Sequence, residues 1–320
     1  MSGSMSDLPQ IGVSSVEYVL DSNPVRLEEL EARGLLVSPA ERLRAFGFSE
    51  VKLSSETPHE QAARAAQKLL AAGDIDPLSV DAVFYVGATP GSHAVGSPDA
   101  MSAFNYPVAW LQYELGMSRA VAYGISQLGC AGLMTAVSSA RDYLVSRPQA
   151  SRVVCVSSDV LPEGCKREMI YNVISDGACA LLVEKSQQPR NRILAYRQIT
   201  KGYYWDSIAR KNEIAAAYFP TAQTVIRETL AEAHTELSEI AWILPHNVSA
   251  RSWEILLGLL ETGGERLFTQ NIGKIAHVIA ADNWINLKDA TSLGKVRPGD
   301  RLLLFTFGFG ANWACMVLEH

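Results

Sequence analysis

Ile-Ser-Gln-Leu-Gly-Cys-Ala-Gly-Leu, the stretch Ile125–Leu133, lies between a β-prone run and a helical run. The run before it, Ala120–Tyr123, contains the strand-favouring residues valine and tyrosine. The run after it, Ala131–Val145, has apolar residues at three- and four-residue steps, which is typical of an amphipathic helix. Cys130 is therefore predicted at the turn where a strand passes into a helix.

Two glycines beside Cys130 favour a functional turn. Gly129 and Gly132 allow strained backbone angles and the close approach of a substrate. A helix N-terminus stabilises a thiolate through its partial positive charge and its free N–H groups, and a nucleophilic cysteine must be a thiolate. A free cysteine is also commonly just a buried apolar residue. The local pattern therefore leaves both a nucleophile and a structural thiol open.

The composition argues against several classes of function. The chain has 320 residues, 48% of them hydrophobic, which is enough for a large core in two packed halves. Its formal net charge is −6, so we expect no broad attraction to nucleic acid or to an anionic membrane. The stretch Met1–Gln10 lacks the apolar region of a signal peptide, and no apolar run reaches membrane-spanning length.

The cysteines indicate a reducing compartment. Five are scattered along the chain, and they form neither a C-x-x-C pair nor a Cys/His set with zinc spacing. A cytoplasmic location fits this pattern best, and we expect no metal site. Besides Cys130, the four that we interpret as ordinary packing residues are Cys155, Cys165, Cys179 and Cys315.

Strands and helices alternate along the chain, and this favours a mostly parallel sheet. Strands are predicted at 11–20, 81–88, 120–123, 152–158, 177–184, 193–199, 240–244, 302–307 and 313–319. Helices are predicted at 23–36, 57–72, 108–115, 131–145, 221–236, 252–260 and 278–291. The second half repeats the plan of the first, which indicates one duplicated fold that divides near residue 190.

Six short segments, taken in order and spacing, carry a resemblance to a known family. They are Gly129–Gly132, Ser158–Leu161, Ser175–Ala178, Pro245–Arg251, Arg297–Asp300 and Phe307–Trp313. The first resembles a nucleophile loop, the fourth a Pro-His-Gln-Ala-Asn-x-Arg segment, and the last a Phe-Gly-Gly-Gly-x-x-Trp turn. Over nearly its whole length the chain resembles the ketoacyl-ACP synthases III of the thiolase fold.

The resemblance implies an α/β architecture of five layers, α-β-α-β-α, with two pseudo-repeated halves. Residues 1–190 would form the thiolase-like half with the nucleophilic cysteine, and residues 191–320 the half with the catalytic histidines. The active site is expected where the halves meet. The family's mode of dimerisation implies a homodimer through the strand before the nucleophile helix, here Arg119–Tyr123.

By the same resemblance, Cys130 takes an acyl group from an acyl-ACP or acyl-CoA thioester, and no other cofactor is implied. Backbone N–H groups of Cys130 and Phe309 are expected to form the oxyanion hole. Donors aimed at a tetrahedral oxyanion contribute several kcal/mol. The implied class of enzyme is an acyltransferase acting on a thioester donor.

A histidine stands where the family's decarboxylating members have an asparagine. This residue is His277, and the five-residue step to Asp282 resembles a side branch of acyltransferases that use Cys (or Ser), His and Asp. A histidine oriented by a carboxylate can remove a proton from an incoming hydroxyl or amine. The alternative is a buried hydrogen-bonded pair with no catalytic part.

A second histidine, His246, keeps another reaction open. With Cys130 and His277 it would form the Cys-His-His site of elongating ketosynthases, which decarboxylate malonyl thioesters. The resemblance thus supports two activities: acyl transfer to a hydroxyl or amine, chiefly in secondary metabolism, or decarboxylative Claisen condensation. A third hypothesis is a non-catalytic thiolase-fold subunit, against which the intact Cys130, His246 and His277 argue.

Binding residues follow from the same segments. Asn247 and Ser249 replace the family's glutamine and asparagine, and the retained Arg251 is placed to contact a phosphate. The segment Glu41–Gly47 has glutamate and alanine where the family has tryptophan and arginine at the adenine end, which favours a carrier-bound donor over free CoA; substitution by Arg42 and Arg44 after a shift is the alternative. His93, on a loop, is predicted to be a surface residue.

Overall fold

The computed structural model describes residues 10–88, 101, 104–170 and 172–320. Most of the stretch Met1–Gln10 and all of the loop with His93 lie outside the described residues. Within the described part, no helix is both long enough and apolar enough to cross a membrane.

The strands have the following bounds: β1 Gln10–Val19, β2 Pro24–Arg26, β3 Glu50–Lys52, β4 Ala82–Gly87, β5 Val121–Ser126, β6 Arg152–Asp159, β7 Glu168–Met169, β8 Asn172–Val173, β9 Gly177–Ser186, β10 Arg192–Thr200, β11 Ile240–Leu244, β12 Arg301–Gly308 and β13 Asn312–Glu319. The α-helices are α1 Leu27–Ala32, α2 Ala40–Ala45, α3 Pro58–Ala72, α4 Pro107–Glu114, α5 Gly132–Ser146, α6 Lys211–Glu232, α7 Ala250–Leu259, α8 Gln270–Ile275 and α9 Asp282–Ser292.

The large sheet has the order β11-β12-β13-β10-β1-β9-β6-β4-β5. A single residue pair, Gly12 with Arg192, connects β1 to β10 and divides the strands into a run of five and a run of four. The predicted division near residue 190 falls in the turn between β9 and β10 and stays a prediction.

The sheet is mixed, so the prediction of a mostly parallel sheet is wrong. Among the strands of the described residues, only the β4–β5, β4–β6 and β11–β12 pairs are parallel. The β1–β9, β6–β9, β1–β10, β10–β13 and β12–β13 pairs are antiparallel. The physical reason is clearest at β12 and β13, because the short turn between these two neighbours cannot contain the crossover that parallel strands need.

Helices cover both faces of each run of strands. On one outer side α3 packs against β1, β6 and β9, and on the other α6 packs against β10 and β13. Between the two runs lie α5, which contacts β4, β6 and β9, and α9, which contacts β1, β11 and β12. Three separate hydrophobic clusters fill these interfaces. The predicted five-layered α/β architecture is therefore confirmed.

Two helix predictions need correction. The helix expected at 23–36 is only α1, because Pro24–Arg26 pairs as a strand with β3. The helix expected from residue 221 starts ten residues earlier, at Lys211, and contains Pro220 in its interior. Local propensity alone would end the helix at this proline, but tertiary packing keeps the helix continuous.

Candidate active site

Cys130 lies in a short 3₁₀ turn, Gly129–Ala131, between β5 and α5, as the sequence predicted. The side chain is buried, with 6% of the residue exposed. Gly132 is required by packing, because a Cβ atom there would lie 2.6 Å from Cγ1 of Val86. Gln127 at φ 65° and Gly129 at φ 54° make the sharp turn that aims the cysteine away from the strand.

The glycine turn after β12 packs directly on the cysteine turn. A Cβ atom on Gly308 would lie 2.3 Å from the carbonyl oxygen of Leu128 and 2.8 Å from the backbone nitrogen of Cys130. A Cβ atom on Gly129 would lie 2.9 Å from the backbone nitrogen of Phe309. The two amides expected in the oxyanion hole, those of Cys130 and Phe309, therefore belong to turns in close contact.

Three side chains that are distant in sequence form a connected row. The Sγ atom of Cys130 lies 3.3 Å from Nε2 of His277, and Nδ1 of His277 lies 2.6 Å from Oδ2 of Asp282. His277 and Asp282 are almost completely buried. In this order, the imidazole can take a proton from the thiol or from an incoming nucleophile, and the carboxylate orients the imidazole.

The Asp282 carboxylate is fully engaged by hydrogen-bond donors. Its Oδ2 atom accepts from the backbone N–H of Asn247 at 2.7 Å, besides the contact with His277, and its Oδ1 atom accepts from the N–H of Val278 at 2.7 Å. Asp282 is also the first residue of α9, where the partial positive charge of the helix favours a carboxylate. The carboxylate is thus held in one orientation towards the imidazole.

A short backbone ladder positions His277. Its N–H donates to the carbonyl of Val173 at 2.9 Å, and its carbonyl accepts from the N–H of Ser175 at 2.9 Å. The hydroxyl of Ser175 donates to the carbonyl of Ile275 at 2.5 Å. The sequence had marked Ser175–Ala178 only as a family signature; the structure shows that this segment holds the catalytic histidine candidate.

His246 faces His277 from the other side. The two Nε2 atoms lie 3.4 Å apart, and Nδ1 of His246 accepts from the backbone N–H of Phe307 at 3.3 Å. Trp253 donates its indole N–H to the carbonyl of His246 at 2.8 Å. Because Nδ1 of His246 is an acceptor, hydrogen bonding assigns the proton of the neutral ring to Nε2, which makes His246 a donor towards the reaction centre.

Electrostatics separate the two histidines. Burial, and then the nearby charge of His277, lower the pKa of His246 well below its usual value. Burial also acts to lower the pKa of His277, but Asp282 and the sulfur of Cys130 outweigh it and raise that pKa to about 10. The lowered pKa therefore favours the neutral form of His246, whereas the raised pKa favours the protonated form of His277.

The same three residues have the donor types of a metal site. The Sγ of Cys130 and ring nitrogens of His246 and His277 all lie within 4.8 Å of one another. The hydrogen bond from Phe307 to Nδ1 of His246 leaves the proton on Nε2, so that nitrogen has no lone pair for a metal. The arrangement fits proton transfer better than metal binding.

Asn247 is expected at the substrate, but its side chain is used inside the protein. It is completely buried, donates to the carbonyl of Ala276 at 3.0 Å and accepts from the side chain of Asn286 at 2.9 Å. Together with its backbone bond to Asp282, these contacts make Asn247 a brace for the His277–Asp282 pair.

Ser249 and Arg251 both line the cavity that leads to Cys130. The Ser249 hydroxyl also caps α7, accepting from the N–H of Ser252 at 3.2 Å. Arg251 is exposed and pairs with Glu254 at 2.7 Å. An exposed guanidinium with only a surface partner is free to exchange it for a phosphate.

The cavity has a volume of about 420 Å³ and reaches Cys130, His246 and His277. Three cationic side chains belong to its lining: Arg42, Lys211 and Arg251. The remaining wall is mainly apolar or aromatic, with Phe46, Met169, Ile170, Ile214, Ala215, Tyr218, Phe219, Val248, Ile255, Phe307 and Phe309. This shape fits a ligand with an anionic end outside and an apolar or thioester end at the cysteine.

Sequence reasoning missed the part of the wall that α6 contributes. Lys211, Ile214 and Tyr218 precede the residue at which the helix was expected to start. The sequence pattern that indicates this part of the helix is Ile214 followed by Tyr218 one helical turn later. Pro220 argued against a helix that continues through this region. Burial, followed by the charge of Cys130, raises the pKa of Tyr218, so its phenol stays protonated beside the nucleophile.

Comparison with known proteins assigns the family. A model described as 3-oxoacyl-[acyl-carrier-protein (ACP)] synthase III matches residues 126–202, and the model of that family's C terminal part matches residues 230–320. A β-ketoacyl-[acyl-carrier-protein] synthase III of Pectobacterium atrosepticum is 28% identical over 333 residues, covering 98% of this chain and 94% of its own. Its counterpart in Aquifex aeolicus is 25% identical over 286 residues, covering 86% and 88%.

Solved structures agree on the fold. The acyltransferase ChlB3 superposes with a TM-score of 0.85 at 21% identity, covering 97% of this chain and 98% of that one. The 3-oxoacyl-[acyl-carrier-protein] synthase III of Aquifex aeolicus has a TM-score of 0.82 at 23% identity, covering 97% and 100%. With two family models that together span more than half of it, the chain belongs to the ketoacyl-ACP synthase III-like family of transferases with the thiolase fold.

Proposed function

We propose that this protein is an acyltransferase that loads an acyl group from an acyl-ACP or acyl-CoA thioester onto Cys130 and passes it to a hydroxyl or amine. The observation that carries the proposal is the 2.6 Å contact between Nδ1 of His277 and Oδ2 of Asp282. It holds the proton of the neutral ring on Nδ1 and leaves Nε2, which faces Cys130, as a base.

In the loading step, the Cys130 thiolate attacks the thioester carbonyl. The N–H groups of Cys130 and Phe309 stabilise the oxyanion of the tetrahedral intermediate. The intermediate collapses by breaking the bond to the donor's sulfur, and the leaving thiolate takes the proton from Nε2 of His277. The step forms one thioester, breaks one, and leaves His277 neutral.

In the transfer step, the acceptor's hydroxyl or amine gives its proton to Nε2 of His277 as it attacks the acyl carbonyl on Cys130. Asp282 stabilises the imidazolium that forms. Collapse of the intermediate releases the Cys130 thiolate and the ester or amide product. Loading removes the sulfur's negative charge, which is one cause of the raised pKa of His277, so a larger fraction of the rings is neutral and can accept a proton at this stage.

Decarboxylative condensation with a malonyl thioester is the second candidate. The 3.4 Å approach of His246 to His277 favours it, because both Nε2 atoms would donate to an enolate if His277 stayed protonated. The first proposal is preferred since the neutral His277 of the loaded enzyme offers a lone pair at Nε2, whereas an enolate needs a donor there. Known proteins with this fold include both ChlB3, an acyltransferase, and the priming β-ketosynthase of the R1128 polyketide pathway.

The donor proposal follows from the mouth of the cavity. Arg42, Lys211 and Arg251 line the same cavity as Cys130, but they are exposed whereas Cys130 is buried, so their positive charge lies towards solvent, where it suits the phosphate of a phosphopantetheine arm. Both CoA and acyl carrier protein end in that arm, and we propose the carrier protein as the physiological donor.

The homodimer proposal follows from the edge of the sheet. β5 is an end strand of the large sheet, with one side unpaired among the described residues, and its Val121 is 48% exposed. An exposed edge strand is a site for pairing with a second copy.

Intact-mass spectrometry tests the proposal directly. The wild type is incubated with a series of acyl-ACP and acyl-CoA donors, and then with glycerol and ethanolamine as small hydroxyl and amine acceptors. We expect an acyl adduct that is absent in Cys130→Ala and is discharged by an acceptor without release of carbon dioxide. Release of carbon dioxide from malonyl-ACP in step with product would overturn the acyltransferase proposal in favour of condensation.

A further inference from the structure

A row of polar side chains joins the helix of the nucleophile to the glycine turn. Tyr196, Gln198 and Thr200 alternate along β10 and therefore lie on one face of that strand. Thr135 lies on α5, one helical turn after the cysteine turn, and Asn312 is the register partner of Thr200 on β13. Asn312 lies in the Phe307–Trp313 segment, but the sequence assigned no role to any of these five residues, because each is an ordinary polar residue.

The contacts form a continuous path. The Thr135 hydroxyl lies 2.9 Å from the Tyr196 hydroxyl, which donates to Oε1 of Gln198 at 2.6 Å. Nε2 of Gln198 donates to Oγ1 of Thr200 at 3.1 Å and to Oδ1 of Asn312 at 3.0 Å. The Thr200 hydroxyl donates to Oδ1 of Asn312 at 2.6 Å.

This path determines which way the buried Asn312 amide faces. Oε1 of Gln198 is taken by a hydroxyl, so its NH₂ group is turned towards Asn312. Oδ1 of Asn312 then accepts two hydrogen bonds, which turns its own NH₂ group to the carbonyl of Phe309 at 3.3 Å. Asn312 is 2% exposed, so water offers little competition.

The two ends of the path bond carbonyls of the two turns that contribute the proposed oxyanion hole. Asn312 bonds the carbonyl of Phe309, the residue whose N–H is one of the two expected donors. At the other end, the Thr135 hydroxyl lies 2.9 Å from the carbonyl of Ala131, the residue next to Cys130. A donor that is misplaced by about 1 Å can cost a hundredfold in rate.

We propose that Asn312 is a positioning residue for acyl loading: oriented by Gln198 and Thr200, it fixes the carbonyl of Phe309 and, through the backbone of that residue, the direction of its N–H, so that both oxyanion donors meet the thioester carbonyl. This inference rests on the proposed loading of Cys130 and does not depend on whether the acceptor is a hydroxyl, an amine or a malonyl carbon. A residue that acts on the oxyanion alone affects attack on a carbonyl and leaves other reactions of the sulfur unchanged.

The test compares two reactions of the same thiol in Asn312→Asp. Aspartate has the shape of asparagine, but it presents an oxygen to the carbonyl of Phe309 and repels it. We expect the rate constant for loading from acetyl-CoA or octanoyl-CoA, whichever loads the wild type faster, to fall tenfold or more with little change in the half-saturating donor concentration. Alkylation of Cys130 by iodoacetamide, which forms no oxyanion, should keep its wild-type rate.

A second variant and a control complete the design. Gln198→Glu removes the donor to Oδ1 of Asn312, so it should also slow loading, but by a smaller factor. This variant replaces Asn312→Asp in the test if Asn312→Asp does not fold. Asn23→Asp, an exposed change of the same type, should load like the wild type. Loading at the wild-type rate in both test variants overturns the inference, as does a parallel fall in alkylation. A wild type that forms no adduct with any donor overturns the proposed function together with the inference.

Discussion

Replacing Asp282 by asparagine should separate the two half-reactions. Asp282 accepts hydrogen bonds from Nδ1 of His277 at 2.6 Å, from the N–H of Asn247 at 2.7 Å and from the N–H of Val278 at 2.7 Å. Asparagine has one oxygen for these three donors. Its NH₂ group must therefore face one of them. If it faces His277, the repulsion between the two N–H groups is relieved when the ring proton moves from Nδ1 to Nε2. Nε2 then has no lone pair and cannot act as the base.

The size of the effect follows from the charges. Two unit charges about 4 Å apart interact by about 4 kcal/mol at the effective dielectric of a protein site, which corresponds to about three pKa units for His277. Loss of general base catalysis is typically worth between 10²-fold and 10⁴-fold. We therefore expect transfer from acyl-Cys130 to fall by at least about a hundredfold in Asp282→Asn, whereas loading should change much less.

The assay is single-turnover mass spectrometry on enzyme that has been loaded with an acyl group before an acceptor is added. Asp142→Asn, an exposed change on α5, is the matched control and should transfer like the wild type. Thermal denaturation checks that the variants are folded. Wild-type transfer in folded Asp282→Asn would refute the base role of His277, and an equal loss of loading and transfer would assign Asp282 a purely structural role.

Three further predictions concern pH, donor binding and assembly. The raised pKa of His277 stabilises the fold fully below its unfolded value of 6.5, and this contribution is lost as the pH rises through about 10. The difference in free energy of unfolding between wild type and Asp282→Asn should therefore shrink between pH 7 and pH 10.5 in urea titrations; a constant difference would contradict a charged His277. Combined Lys211→Ala and Arg251→Ala should raise the KM for an acyl-ACP donor at least fivefold at low salt, with little change in kcat; an unchanged KM would argue against phosphate binding at the cavity mouth. Val121→Arg should convert a dimer to monomers in sedimentation velocity runs at micromolar concentration, and a variant dimer would argue against pairing through β5.

Local sequence was sufficient for elements whose signals lie within a few residues. Thr57 and Glu60 form the capping box at the start of α3, and the helix begins at Pro58, one residue after the predicted start. The strand, glycine turn and helix around Cys130 follow from β-favouring residues, two glycines and a helical repeat, all within one short segment. The five-layered fold was reached through the order of several such segments and their resemblance to one family.

The sequence predicted which residues meet in the candidate site, but not all of the hydrogen bonds that they make. Cys130, His246, His277 and Asp282 do converge, since the family motifs that identified them lie on turns at the meeting of the two runs of strands. The sequence assigned Asn247 to the substrate, whereas the structure uses its amide to brace neighbouring loops. A buried amide bonds whichever group packing brings within reach, and its own sequence neighbours do not specify that group.

The sequence by itself determined the turn that holds Cys130, the alternation of strands and helices, and the members of the candidate site. Tertiary structure alone decided that the sheet is mixed, that His246 has its neutral proton on Nε2, and that Asn312 is oriented towards Phe309. The physical reason is range. Strand and helix periodicity act over a few residues, whereas hydrogen bonds join atoms that are close in space but distant in sequence: Cys130 and His277, in contact at 3.3 Å, stand 147 positions apart along the chain.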